Sequence, residues 1–177
     1  YSDFSLKTFF AEARKEDWYA NTIFILTGDH PYHSMRNDFV SIFQLPLLIY
    51  SPSQAKPEIK TGIASQVDIL PTILDLLNCS MIHASMGSSL LSGKQGHYAV
   101  VRHGAEFAVF DNGMVLISDL ERINGLYDYR NDGVFKNDLQ TARPEEARKL
   151  FEYLRAYIQQ ASYAIARDRI CREGDIR

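Results

Sequence analysis

Apolar and polar positions alternate along the chain in several distinct rhythms. Phe4, Leu6, Phe9, Phe10 and Ala13 recur at helical spacing, with Ser2 or Asp3 placed to cap them, which predicts a helix from about Phe4 to Asp17. Thr22 to Leu26 is an unbroken β-branched, aromatic and aliphatic run, which predicts a strand Thr22 to Thr27 buried on both faces. Leu45 to Ser51 predicts a second buried strand, with Pro46 tolerable at its entrance. The polar stretch SPSQAKPEIKTG, with two prolines, reads as a surface loop. After it, Ser65-x-x-Asp68 has the form of a capping box, and Val67, Leu70, Ile73, Leu74 and Leu77 make one helical face. Pro71 sits early enough for that helix to start or kink there.

Beyond residue 95 the rhythm shortens. HYAVVRHG, EFAVFDNGMVLISDL and GLYDYR predict an antiparallel meander, and Asp111-Asn112-Gly113 marks a tight hairpin. Leu150, Leu154, Tyr157 and Ile158 then form the inward face of a long closing helix, with Pro144 near its first turn. The predicted class is α/β: a layered sheet over residues 1–94 and an appended antiparallel subdomain with a terminal helix over 95–177.

Composition narrows the function more by exclusion than by indication. The 177 residues suffice for a sizeable core, and a formal net charge of −3 with scattered basic residues gives no electrostatic case for nucleic acid. No apolar run approaches the roughly 20 residues of a membrane helix, and no signal peptide is evident. Cys79 and Cys171 lack zinc-finger or CxxC spacing, so as two thiols or one disulfide they do not fix a redox compartment. The chain opens on Tyr1 rather than methionine, which reads as a piece of something longer.

The candidate chemistry lies in TGDHPYHS. Asp29 and His30 follow the first predicted strand, where Gly28 lets the backbone turn, and ligand sites of open α/β sheets lie beyond strand carboxyl ends. A carboxylate oxygen and an imidazole nitrogen together suit a divalent ion such as Mn²⁺ or Zn²⁺. His33 is either a third ligand or a hydrogen-bond donor to a phosphate; Asp after Gly is also a common turn residue. Asp68 reads as a helix-start device, and Gly87-Ser88-Ser89 lacks the spaced glycines and lysine of a phosphate loop. His83, His97 and His103 have no carboxylate or cysteine at ligand spacing and read as polar surface or hydrogen-bonded residues. The acids of ERINGLYDYRND read as solvated.

Taken together, YSDFSLKTFFAEARKEDWYANTIFILTGDH, QLPLLIYSP, SQVDILPTILDLLN and MGSSLLSG resemble the alkaline phosphatase/sulfatase superfamily. More closely, they are similar to the later half of the catalytic domain of lipoteichoic acid synthase-like phosphoglycerol transferases. The resemblance is specific over Tyr1 to Gly93; beyond that only the architecture is similar.

It implies that Asp29 and His30 are two of four protein ligands to a catalytic metal, Mn²⁺ first, with Zn²⁺, Mg²⁺ or Ca²⁺ as alternatives. The remaining ligands, a glutamate and the threonine nucleophile, would belong to a segment upstream of Tyr1; neither Thr22 nor Thr27 fits the role. His33, which the family often matches with a histidine a few residues after Asp-His, and Arg36 are further site candidates, although PYHSMRND departs from the usual wording. The implied partners are a lipid head group or a phosphate or sulfate ester, and the missing N-terminal half of the domain.

The parent is expected to be an extracytoplasmic enzyme anchored in a membrane, and this chain alone to be inactive. A sulfatase, a phosphoethanolamine transferase, a phosphodiesterase and a non-catalytic module are the other readings. An exposed strand edge leads to the further expectation of self-association or poor solubility.

Overall fold

The computed structural model describes residues 1–31, 38–53, 57–93 and 97–168. They divide into two compact units, Tyr1–Lys60 and Thr61–Arg177.

In the first unit, helix α1 spans Ser2–Ala13, strand β1 Phe24–Thr27 and strand β2 Leu47–Tyr50. Helix and strands are shorter than their apolar patterns suggest. Beyond Ala13 the chain leaves the α-helix, and a 3₁₀ turn at Tyr19–Asn21 occupies the approach to the strand. Thr22 Oγ1 donates to the Trp18 carbonyl at 2.8 Å, so that residue closes the turn instead of extending β1. The two strands pair antiparallel, Phe24 with Tyr50 and Thr27 with Leu47. The carboxyl end of β1 therefore lies beside the amino end of β2.

The expected burial of β1 on both faces is not what the fold provides. Phe24, Ile25 and Leu26 are half-buried and Thr27 is exposed, because a two-stranded ribbon covers little of either face. α1 supplies part of the cover. Phe9 and Phe10 meet Phe24 edge-on at 6.1 and 5.1 Å, and Ala13 is buried, while Phe4 and Leu6 stay exposed.

The second unit carries the closed core. A 3₁₀ turn at Gln66–Asp68 leads into helix α2, Ile69–Leu76. Pro71 falls in the first turn of α2, where its missing N–H removes no intrahelical bond. Strands β3 (Ala99–His103), β4 (Glu106–Asp111), β5 (Met114–Ser118) and β6 (Ile123–Asp128) form an antiparallel meander in that order.

The Asn-Gly signal acts as expected. Asn112 (φ 39°) and Gly113 (φ 98°) take the positive angles of the β4–β5 turn, with Asp111 opposite Met114. Helix α3, Pro144–Ala166, lays Ala147, Leu150 and Leu154 on Val109, Met114, Leu116 and Leu126. Among the described residues no helix is long and apolar enough to cross a membrane.

Candidate metal centre

Asp29 and His30 follow β1 directly, and the foot of that strand is fixed by aromatic and hydroxyl contacts. Phe24 stacks against Tyr50, with ring centroids 6.0 Å apart, and the Tyr19 and Tyr50 hydroxyls meet at 2.9 Å. Arg14 Nε reaches Tyr19 Oη at 3.4 Å. The Tyr50 hydrogen bond, and then Arg14, hold the Tyr19 hydroxyl below the usual tyrosine range, whereas the same bond pushes Tyr50 up.

Gly28 needs no left-handed backbone here. Its constraint is space, since an added Cβ would lie 3.1 Å from Leu45 Cδ2. The sequence suggested a turn requirement; the fold shows a close side-chain contact in its place.

At the tip, Asp29 Oδ1 accepts the His30 backbone N–H at 2.9 Å, which ties the carboxylate to the chain. His30 Nδ1 lies 3.1 Å from the Pro31 carbonyl oxygen. A carbonyl only accepts, so Nδ1 carries the proton in this bond and Nε2 keeps its lone pair. That arrangement, a carbonyl orienting the imidazole through its second nitrogen, is how metal-ligating histidines are held.

His30 Nε2 stands 3.8 Å from Asp29 Oδ1. Two donors each about 2.0–2.2 Å from one ion stand roughly 3–4 Å apart, and the separation of this pair falls in that range. Both side chains are open, His30 at 75% and Asp29 at 90% exposure, and thus accessible to an ion and to further ligands. The donor set fits half a centre: among the described residues no group of three or more His, Cys, Asp or Glu side chains is assembled to hold a metal. His33 and Arg36 lie outside the described residues.

In the second unit, Asp68 has the capping role its spacing suggested. Ser65 and Asp68 form a reciprocal capping box, with Oδ2 accepting the Ser65 N–H at 2.9 Å. The carboxylate also does what the sequence reading missed. Oδ1 accepts the Ser88 N–H at 2.9 Å, and Oδ2 lies 3.7 Å from His97 Nδ1. His97, which has no carboxylate nearby in sequence, has one in space.

Gly87 is central to this approach rather than to any phosphate. Its Cα is so close to the Val67 carbonyl and Asp68 N that a Cβ has no room. Thr72 Oγ1 accepts the Leu90 N–H at 3.0 Å and donates to the Asp68 carbonyl at 2.6 Å, fastening the same segment one turn further along. The acids of the 128–138 segment accept backbone amides, and Asp128 and Asp132 do so while still partly open to solvent. Asp128 Oδ1 accepts from Arg130 and Asn131, Asp132 Oδ2 from Asn137, and Asp138 Oδ1 from Leu126 and Gln140.

Comparison with known proteins agrees with the motifs of the first 79 residues and with the fold. Residues 1–79 match the sulfatase family model. The fold is that of the alkaline phosphatase/sulfatase superfamily. A protein in that superfamily from Vibrio parahaemolyticus superposes with a TM-score of 0.63 at 23% identity, covering 86% of this chain and 40% of its own. A Bacteroides thetaiotaomicron protein of multiple-glycosaminoglycan metabolism superposes with a TM-score of 0.66 at 17% identity, covering 88% and 42%.

The resemblance also extends to lipoteichoic acid synthase-like proteins. The Bacillus subtilis protein YvgJ, described as lipoteichoic acid synthase-like, is 28% identical over an alignment of 129 positions that covers 59% of this chain. The chain spans a fifth of the length of YvgJ and about two-fifths of the two solved chains.

Proposed function

We propose that this chain supplies two ligands, Asp29 and His30, to the divalent metal centre of a phosphoryl-transfer enzyme acting on phosphoglycerol-type lipid head groups. The observation that supports it is the pair itself: Nε2 of His30, left with its lone pair by the Pro31 carbonyl, 3.8 Å from the Asp29 carboxylate. The relationship to YvgJ favours the phosphoglycerol substrate class. In this reading residues 1–94 belong to the later half of the catalytic core and 95–177 to its antiparallel subdomain.

When bound, the metal, Mn²⁺ in the first instance, would lower the pKa of a coordinated hydroxyl and neutralise charge on phosphoryl oxygens. The chain's own residues do the positioning. Pro31 O holds the His30 ring, and the His30 N–H holds Asp29 Oδ1, so both donors are oriented before an ion arrives. The nucleophile, a threonine in this reading, and the remaining ligands lie outside the 177 residues, and His33 is assigned to the transferring group or leaving oxygen. The parent works outside the cytoplasm, anchored in a membrane, and the chain by itself turns nothing over. A sulfate-ester substrate is the second reading, favoured by the family match over residues 1–79.

Calorimetric titration of the chain with Mn²⁺ tests the proposal. Binding is expected to be weak, as for two protein ligands, and to be lost in both Asp29→Asn and His30→Gln. Unchanged Mn²⁺ binding in both variants would sink it.

A further inference from the structure

Helix α1 carries apolar side chains around more of its circumference than the β1–β2 ribbon covers. Phe10 meets Phe24 and Tyr50 at 5.1 and 5.8 Å, and Ala13 is buried. Tyr1, Phe4, Ser5, Thr8 and Phe9 recur at intervals of three and four around another side, and together they line an open groove. Phe4 is 68% exposed and Phe9 49%, and Tyr1 is fully open.

That side makes little polar demand on solvent. None of its five side chains is charged at neutral pH. The Ser5 hydroxyl donates to the Tyr1 carbonyl at 3.2 Å, and Thr8 Oγ1 to the Phe4 carbonyl at 3.0 Å. Both donors are therefore engaged by the helix's own backbone. The helical period carries Asp3 and Lys7 away from the groove, and Glu12 pairs with Lys15 at 2.8 Å. A solvated helix face is normally charged or polar, whereas a helix that is apolar on more than one side packs on more than one side.

The ribbon has only two strands, and Phe10 already takes up their Phe24–Tyr50 end. The two solved chains share the fold over 86% and 88% of this chain, which in turn covers 40% and 42% of theirs. More than half of each solved chain thus has no counterpart in the 177 residues. Exposed apolar patches of this kind mark interaction surfaces. An anionic lipid surface is disfavoured by charge, since α1 carries Asp3 and Glu12 against Lys7 alone.

We propose that the Tyr1–Phe4–Phe9 side of α1 is an intramolecular packing surface, covered by apolar side chains of the same polypeptide from outside these 177 residues. This rests on the reading of residues 1–94 as the later half of a larger catalytic core, and it names a face by which that core closes. Tyr1, Phe4 and Phe9 are the anchors. Ser5 and Thr8, small and bonded internally, leave the groove between them for a side chain of the covering segment.

Hydroxyl-radical footprinting read by mass spectrometry tests it, on the 177-residue chain and on the intact gene product that contains it, with dose matched by an added reporter peptide. Phe4 and Phe9 are expected to oxidise readily in the chain and severalfold more slowly in the intact product. Phe4→Gln is expected to leave the thermal midpoint of the chain unchanged and to lower that of the intact product. Equal oxidation in the two proteins overturns the proposal, as does an intact product no longer than 177 residues. Protection that grows with the concentration of the isolated chain gives the face to a second copy, and protection only by phosphatidylglycerol vesicles gives it to a lipid surface; either result overturns it too. Mn²⁺ titration of the same intact product keeps the two readings apart. Asp29-dependent binding with Phe4 and Phe9 still open fails this inference alone. A protected face with Mn²⁺ binding indifferent to Asp29→Asn supports it and fails the metal centre alone.

Discussion

Asp68 Oδ1 accepts the backbone N–H of Ser88 at 2.9 Å, joining two residues twenty positions apart through a carboxylate that is almost fully buried. Its second oxygen accepts the Ser65 N–H, so one side chain serves both the start of α2 and the segment that lies against it. Buried carboxylates are tolerated when their lone pairs are taken up in this way. Asp68→Ala leaves the Ser65 and Ser88 amides without those acceptors, and is expected to cost roughly 2–4 kcal/mol. Urea denaturation followed by circular dichroism checks it. A loss below about 1 kcal/mol would mean that water replaces the carboxylate.

Gly87 tests the same junction by space rather than by hydrogen bonding. A methyl group there meets the Val67 carbonyl and the Asp68 amide nitrogen, both backbone, which cannot swing away as a flexible side chain would. Gly87→Ala is therefore expected to destabilise by roughly 2–3 kcal/mol. Gly104→Ala is the informative comparison. Its φ of 61° is strained for alanine, but no atom lies within 4 Å of the added Cβ, so its cost is expected near 1 kcal/mol. Equal losses in the two variants would show that the backbone at Gly87 yields.

These two positions also mark the limit of what the sequence discloses. The hairpin at Asn112-Gly113, the capping box at Ser65 and Asp68, and the amphipathic stripe of α3 are local signals, each set by residues within a few positions of one another. They were legible for that reason. The burial of β1 was not, because an apolar run reports the tendency to be covered and not how many neighbours do the covering. Asp29 and His30 are adjacent and could be read as a pair, but the Pro31 carbonyl that selects the His30 tautomer appears only in three dimensions. The approach of Asp68 to His97 joins positions far apart in sequence, and no periodicity encodes that.

Leu154 offers a measure of how far the second unit depends on α3. It is fully buried, packed with Leu150 and Ala147 against Leu116 and Leu126 of the meander. Leu154→Ala removes that contact and leaves a cavity the rigid sheet can close only in part, so the expected loss is roughly 2–5 kcal/mol. Arg148→Ala on the exposed side breaks ion pairs with Glu145 and Glu152 and is expected to change stability by less than about 1 kcal/mol. Thermal unfolding of the two variants side by side separates core packing from surface charge.

Asp111 gives the clearest pH dependence, and its sign opposes that of the other shifted aspartates. Burial pushes its carboxyl up, and nearby Glu146 adds to this, while Lys149 pulls it down. The folded state therefore binds the Asp111 proton more tightly than the unfolded chain does. Its contribution to stability is fully present below the unfolded value, about 3.9, and is lost as pH rises through the higher folded value. Asp128 runs the other way. Its hydrogen bond from Asn131 holds it low, so its stabilisation is present above the unfolded value and is lost as pH falls through the folded one. Asp111→Asn is accordingly expected to raise the thermal midpoint at pH 7 and to change it little near pH 3, where the native carboxyl is already protonated. Asp128→Asn is expected to lower the midpoint at pH 7 and to matter progressively less toward pH 2. Midpoints recorded for both variants between pH 2 and 7 decide the matter. If Asp111→Asn lowers the midpoint at pH 7, the Lys149 attraction outweighs burial and the assigned sign is wrong.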